Sequence, residues 1–116
     1  MVTDNEAWII DAGDAIVRKR AARGPHALSL LERLIYCLWV ADCGMRNAGD
    51  LTTASDLYAA FDVEAAKLSQ LLGLGITRTA FALSRSELEP QYFQLFEEIS
   101  AKRIGCALAR ARTANK

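Results

Sequence analysis

The sequence predicts an all-α fold: a compact single-domain helical bundle of about five helices with short connections, spanning residues 1–116. Three observations carry this. Apolar residues recur at spacings of three and four, and no stretch alternates with the period of two that a half-buried strand needs. Ala and Leu are abundant, whereas runs of β-branched residues are missing. The breaks between periodic stretches are short and marked by Gly, Pro, Ser or Asp, the residues that stop and start helices.

The first helix is expected over residues 4–20, with Thr3 or Asp4 as N-cap and Trp8, Ala12, Ala15 and Ile16 on one side. Its acids (Asp4, Glu6, Asp11, Asp14) precede its bases (Arg18, Lys19, Arg20, Arg23), the order that suits the helix dipole. Gly24 and Pro25 stop it. A second helix opens at Ser29, which stands three residues before Glu32 as in a capping box, and runs to about Arg46. Its wide apolar stripe (Leu31, Leu34, Ile35, Leu38, Trp39) marks it as central and contacted from more than one side. Asp50 is the expected N-cap of a third helix over 51–61, and Asp62 that of a fourth over 63–72 with Val63, Ala66 and Leu71 inward. Gly73 and Gly75 mark a break before a short turn around 77–82. Ser86 caps a last long helix that tolerates Pro90 in its first turn. Leu88, Tyr92, Phe96 and Ile99 form its inner face, extended by Ile104 and Leu108, and the polar tail from about residue 110 frays.

Composition excludes several functions. Fourteen Lys and Arg balance fourteen Asp and Glu, so no overall charge draws the chain to nucleic acid or to an anionic membrane. Near-zero net charge also gives little colloidal repulsion, which favours self-association. The longest apolar run, residues 34–41, falls far short of the roughly 20 residues that span a bilayer. The opening MVTDNEAWIID is acidic where a signal peptide is basic, so a cytoplasmic location is expected. Cys37, Cys43 and Cys106 show no CxxC spacing and read as reduced thiols. His26, the sole histidine, follows Pro25 in a loop and cannot build a His-rich metal site; no metal, cofactor or catalytic residue is expected. The Glu97–Glu98, Glu87–Glu89 and Asp62–Glu64 pairs have simple helical explanations, and Gly73-Leu74-Gly75 lacks the third glycine and the strand of a phosphate loop.

Two stretches remain as candidate sites. DCGMRNAGDL, residues 42–51, places Asp42 in line with the apolar face of the second helix, where a lone carboxylate is costly and needs a partner. Arg46 stands one turn on, Asn47 tolerates left-handed geometry, and Gly49 can turn the chain before Asp50. The stretch is either a polar helix-to-helix corner or a ligand or partner groove lined by Asp42, Arg46, Asn47 and Asp50. The second stretch, RKRAAR, offers Arg18, Lys19, Arg20 and Arg23 for phosphate contact, with Arg103, Arg110 and Arg112 as a further basic surface.

LERLIYCLWVADCGMRNAGDL resembles the signature region of a bacterial DNA-mimic-protein-like helical family, in which a Leu…Glu-Arg…Tyr helix leads into an Asn-Gly-Gly-Phe corner. Glu32, Arg33 and Tyr36 match the helix, and Asn47-Ala48-Gly49-Asp50 stands at the corner, with Ala48 for a glycine and Asp50 for the aromatic. Ala65-Ala66-Lys67-Leu68 through Leu72-Gly73 is similar to the family's later Ala- and Leu-rich helix. The likeness covers residues 28–75 and implies a helical fold and protein binding. The family's name-giving member mimics DNA with an acidic surface and binds a transcription factor. Balanced charge does not extend that mimicry to this chain, although Asp50, Asp56, Asp62 and Glu64 could form a local acidic face. The expected function is therefore a non-catalytic protein-binding module whose partner is another protein or a second copy. A nucleic-acid module using Arg18–Arg23 and a small-ligand bundle centred on Asp42 and Arg46 are the alternatives.

Overall fold

The structure, a computed structural model, describes residues 4–99, with side chains from residue 8 onward. The expectations for Thr3, for the side chains of Asp4 and Glu6, and for Ile104, Leu108, Arg103, Arg110, Arg112, Cys106 and the tail lie outside the described residues. The helices are α1 (Asp4–Arg23), α2 (Leu30–Ala48), α3 (Leu51–Leu57), α4 (Phe61–Leu72), α5 (Gly75–Ala82), α6 (Arg85–Leu88) and α7 (Tyr92–Ile99). Short 3₁₀ turns at Pro25–Ala27 and Glu89–Gln91 join α1 to α2 and α6 to α7. No strand occurs among the described residues, and the fold is an all-α bundle.

Local chemistry starts and stops the central elements where the sequence indicates. At α2 the Glu32 N–H donates to Ser29 Oγ (3.2 Å) and the Ser29 N–H to Glu32 Oε1 (2.9 Å), a complete capping box. Gly49 ends the helix in the left-handed region (φ 75°), and its N–H bonds back to the Gly44 and Met45 carbonyls. Asp50 Oδ1 then takes the Thr53 N–H at 2.8 Å and starts α3. At the end of α4, Gly73 (φ 71°) donates to the Gln70 carbonyl and Leu74 to that of Ser69, closing a Schellman turn over the buried Leu74.

α2 is the centre of the bundle and packs against α1, α3 and α4. Leu34, Ile35, Cys37, Leu38, Val40, Ala41 and Met45 are all buried, on more than one side of the helix. α5 joins α4 to α7. Leu88, Tyr92, Phe96 and Ile99 form the buried inner face, and Phe96 stacks on Trp8 of α1 with ring centres 6.2 Å apart.

Several boundaries and faces differ from the sequence reading. α3 ends at Leu57, not near residue 61, because Tyr58 adopts extended backbone. α4 starts at Phe61 with no side-chain cap, so Asp62 lies inside the first turn and caps nothing beyond its neighbour Val63. Its carboxylate faces Arg85 instead (Nε–Oδ2 2.9 Å). The register follows the fully buried Phe61 and turns Ala65, Leu68 and Ser69 inward; Val63 (72% exposed) and Leu71 (60%) face out, and Ala66 is half-buried. In α1 the inner face is Ile9, Ala12 and Ile16, while Ala15 is exposed. The turn expected at 77–82 is the regular helix α5, held by buried Thr77, Ala80 and Phe81. The final helical region is capped at Ser84, not Ser86: Ser84 and Glu87 form a second capping box. Pro90 divides α6 from α7, since it has no N–H to carry a helix through.

Two predictions follow from this packing. The Trp39 indole lies directly against Gly13, so a Cβ there would overlap the ring. Gly13→Ala should lower stability in urea unfolding by about 1–3 kcal/mol, the ordinary cost of overpacking. The carboxyls of Glu32 and Asp62 are partly buried, which pushes them up, but their hydrogen bonds and paired Lys19 and Arg85 outweigh this and hold both below their usual values. A depressed folded value means that the stability is fully present above the unfolded carboxyl range, about pH 4–4.5, and is lost as pH falls through the folded values. Unfolding midpoints measured from neutral pH downward should therefore decline in this acid window, and Glu32→Gln should make the decline shallower.

Candidate functional site

DCGMRNAGDL resolves into structural parts. Asp42 is 3% exposed. Arg46 Nε donates to its Oδ2 at 2.6 Å, and the Tyr92 hydroxyl donates to its Oδ1 at 3.0 Å. The Arg46 guanidinium also lies over the Phe93 and Phe96 rings, 5.7 and 5.8 Å from their centres. Burial, followed by the charge of Asp42, pushes the Tyr92 phenol well above its ordinary value and keeps it a donor. Asn47 is exposed at the end of α2, and Asp50 is occupied as the cap of α3. The four residues therefore do not line one groove. Asp42 and Arg46 form an anchor between α2 and α7, and Asp50 belongs to a second junction: Glu89 Oε2 reaches across to take the Leu51 N–H at 2.7 Å.

The basic stretch is similarly dispersed. Arg18 pairs with Asp14 on its own helix (3.1 Å), Lys19 crosses to Glu32 on α2 (3.0 Å), and Arg23 is exposed. Arg20 turns to α2 and places its guanidinium 4.7 Å from the centre of the Tyr36 ring. The four charges do not form one phosphate-tracking row. The acidic residues are divided in the same way: Asp62 faces Arg85, Glu64 faces Arg33, Asp50 caps α3, and Asp56 is exposed.

A concave feature of the surface lies elsewhere, where the end of α1, the Pro25–Ala27 turn, the start of α2 and the α3–α4 connection meet. It is an open groove of about 350 Å³ lined by Arg20, His26, Arg33, Tyr36, Tyr58 and Glu64, with Pro25 and Leu28. Arg33 holds Glu64 Oε1 with Nε (3.0 Å) and a terminal nitrogen (2.9 Å). The Tyr58 hydroxyl donates to the other oxygen, Oε2. That bond, aided by burial, pushes the Tyr58 phenol up to about 12. Tyr36 and Tyr58 meet at a tilt with centres 5.7 Å apart, and Trp39 stacks behind Tyr36 at 6.1 Å. Cys37, one residue further along α2, is buried, and desolvation, strengthened by Glu64, pushes its thiol far up; Cys43 is also raised by burial. Neither thiol is an activated nucleophile, and no cluster of three or more metal-ligating side chains occurs among the described residues. No helix among them is long and apolar enough to cross a membrane.

Sequence reading missed this groove because its lining is drawn from residues 20–64 and converges only on folding. A partial signal was present: Arg33 and Tyr36 stand three apart and so share one helix face.

The anchor yields a stability prediction. Asp42→Ala should cost about 3 kcal/mol, because it leaves the buried Tyr92 hydroxyl without its acceptor and takes one carboxylate away from the part-buried Arg46. Tyr92→Phe should cost less, about 1–2 kcal/mol, since Arg46 still meets the carboxylate. Urea unfolding followed by circular dichroism measures both. Compared with models of protein families, with curated proteins and with solved structures, the chain matches none.

Proposed function

We propose that this chain is a non-catalytic interaction module that receives a protein partner on the groove between α1, α2 and α4. The observation that carries this reading is the composition of the groove: Arg20, Arg33, Tyr36 and Tyr58 stand together around one open concavity. Tyr and Arg are the residue types in which protein interfaces concentrate their binding energy, because each offers large contact area with a polar edge. The chemistry of the groove argues against catalysis. A general base needs a pKa near its working pH, and Tyr58 is moved the opposite way, to about 12.

Two further points support the reading. The resemblance of residues 31–51 is to a family whose name-giving member binds a protein. Zero formal charge and the exposed Val63, Leu71 and Leu57 also make a second copy a natural partner. A cytoplasmic setting suits the free thiols of Cys37 and Cys43. The nucleic-acid alternative has weaker support, since Arg18 and Lys19 are engaged with acids of the chain itself.

The test is a comparative pull-down with light scattering. The chain carrying Arg20→Ala and Tyr36→Ala, verified as folded by circular dichroism, should retain a specific partner about tenfold less well than the natural sequence; a loss of 1.4 kcal/mol per factor of ten is ordinary for interface anchors. Equal retention by both would move the interface off the groove. A monomer that retains nothing would remove the reading.

A further inference from the structure

We infer that the groove's occupant is an acidic side chain of the partner protein, a carboxylate seated on the edge of the Arg20 guanidinium. The inference rests on the protein-binding reading above and specifies its chemistry. Among the described residues, Arg18, Arg33, Arg46 and Arg85 are each paired with a carboxylate of the chain, whereas Arg20 has none. It is not a loose surface charge either. Its guanidinium is held 4.7 Å from the centre of the Tyr36 ring, which is itself backed by Trp39 and flanked by Tyr58. The Tyr36 ring lies against one side of the guanidinium, and no carboxylate among the described residues takes its N–H donors. A fork oriented in advance loses less entropy when it takes a carboxylate in bidentate geometry.

The other groups in the groove do not compete for that role. Glu64 is the only acid among the described residues of the lining, and Arg33 and Tyr58 occupy its two oxygens. Arg20 and Arg33 against Glu64 leave the described lining one positive charge in excess. A volume of about 350 Å³ holds a side chain and its flanking backbone, but not a helix. Nucleic acid fits less well, since its backbone is tracked by a row of cations and the neighbouring Arg18 and Lys19 are already paired.

The experiment titrates the labelled full chain, observed by amide chemical shifts, with a capped Gly-Gly-Glu-Gly-Gly peptide, its Gln counterpart and inorganic phosphate. The expected result is saturable shifts around Leu28, Arg33 and Tyr36 with millimolar affinity for the Glu peptide, about tenfold weaker for the Gln peptide. Arg20→Gln should weaken the Glu peptide by about the same factor and remove its preference, while Arg78→Gln, at an exposed position of α5, should not. Equal binding of the two peptides, no shift with either, or an undiminished preference in Arg20→Gln would overturn the inference. Phosphate saturating the groove more tightly than the Glu peptide would overturn it in favour of a free anion. The two readings fail separately. A partner retained equally by Arg20→Gln but lost by Tyr36→Ala keeps protein binding and removes the acidic contact. A Glu preference in a chain that retains no protein does the reverse.

Discussion

A single buried carboxylate sets terms for the rest of the bundle. Asp42 sits on the central helix α2 at a position that continues the apolar face, where an unpaired charge would be prohibitive. The chain meets this with one partner from the same helix, Arg46, and one from 50 residues away, Tyr92. Once Tyr92 must meet Asp42, α7 has only one register against α2: its Phe96 falls under Arg46 and opposite Trp8. Apolar packing alone tolerates many arrangements of similar energy. The hydrogen bonds of a buried acid do not, because a shifted partner leaves the group unsatisfied.

The same helix makes two further polar ties at its other end. Glu32 takes Lys19 of α1 while completing its own capping box, and Arg33 takes Glu64 of α4. Adjacent residues point about 100° apart on a helix, so these two ties necessarily lead to different neighbours. Three charged positions on α2 thus address α1, α4 and α7 in turn. The groove is a by-product of this arrangement. The Arg33–Glu64 tie closes one wall, Arg20 reaches from α1 to Tyr36, and Pro25 and His26 of the short 3₁₀ turn contribute to the lining.

What could be read from the sequence was what is decided locally. Ser29, Asp50 and Gly73 act within four residues of themselves, so their spacing was enough to place a cap or a stop. Asp62 shows the limit: it looks like an N-cap, but the burial of Phe61 one residue earlier outweighs the cap and rotates the helix, leaving Val63 outside. Ser84 and Ser86 each have a glutamate three residues on, Glu87 and Glu89, so spacing alone does not choose between them; Ser84 caps, and Glu89 instead accepts from the distant Leu51 N–H. The Asp42–Arg46 pair was legible because it is four residues long; its third member, Tyr92, and the reach of Glu89 to Leu51 were not, because no periodicity links positions 50 and 38 residues apart. The groove failed to appear for the same reason: its charged residues Arg20, Arg33 and Glu64 come from three separate stretches, and only Arg20 lies in the basic stretch of residues 18–23.

The Glu89–Leu51 hydrogen bond and the Tyr92–Asp42 bond start three residues apart at the later end of the fold and complete two junctions on either side of the α2–α3 corner. A chain synthesised from its N-terminus therefore carries α1 to α4 for some time with a carboxylate and a helix amide at that corner still waiting for their partners. Closing such long loops has an entropic cost that is met only when both bonds and the apolar face of α7 arrive together. The α2–α3 corner is thus completed only by residues 89–92, so the earlier helices depend for two of their polar groups on a segment that is made after them.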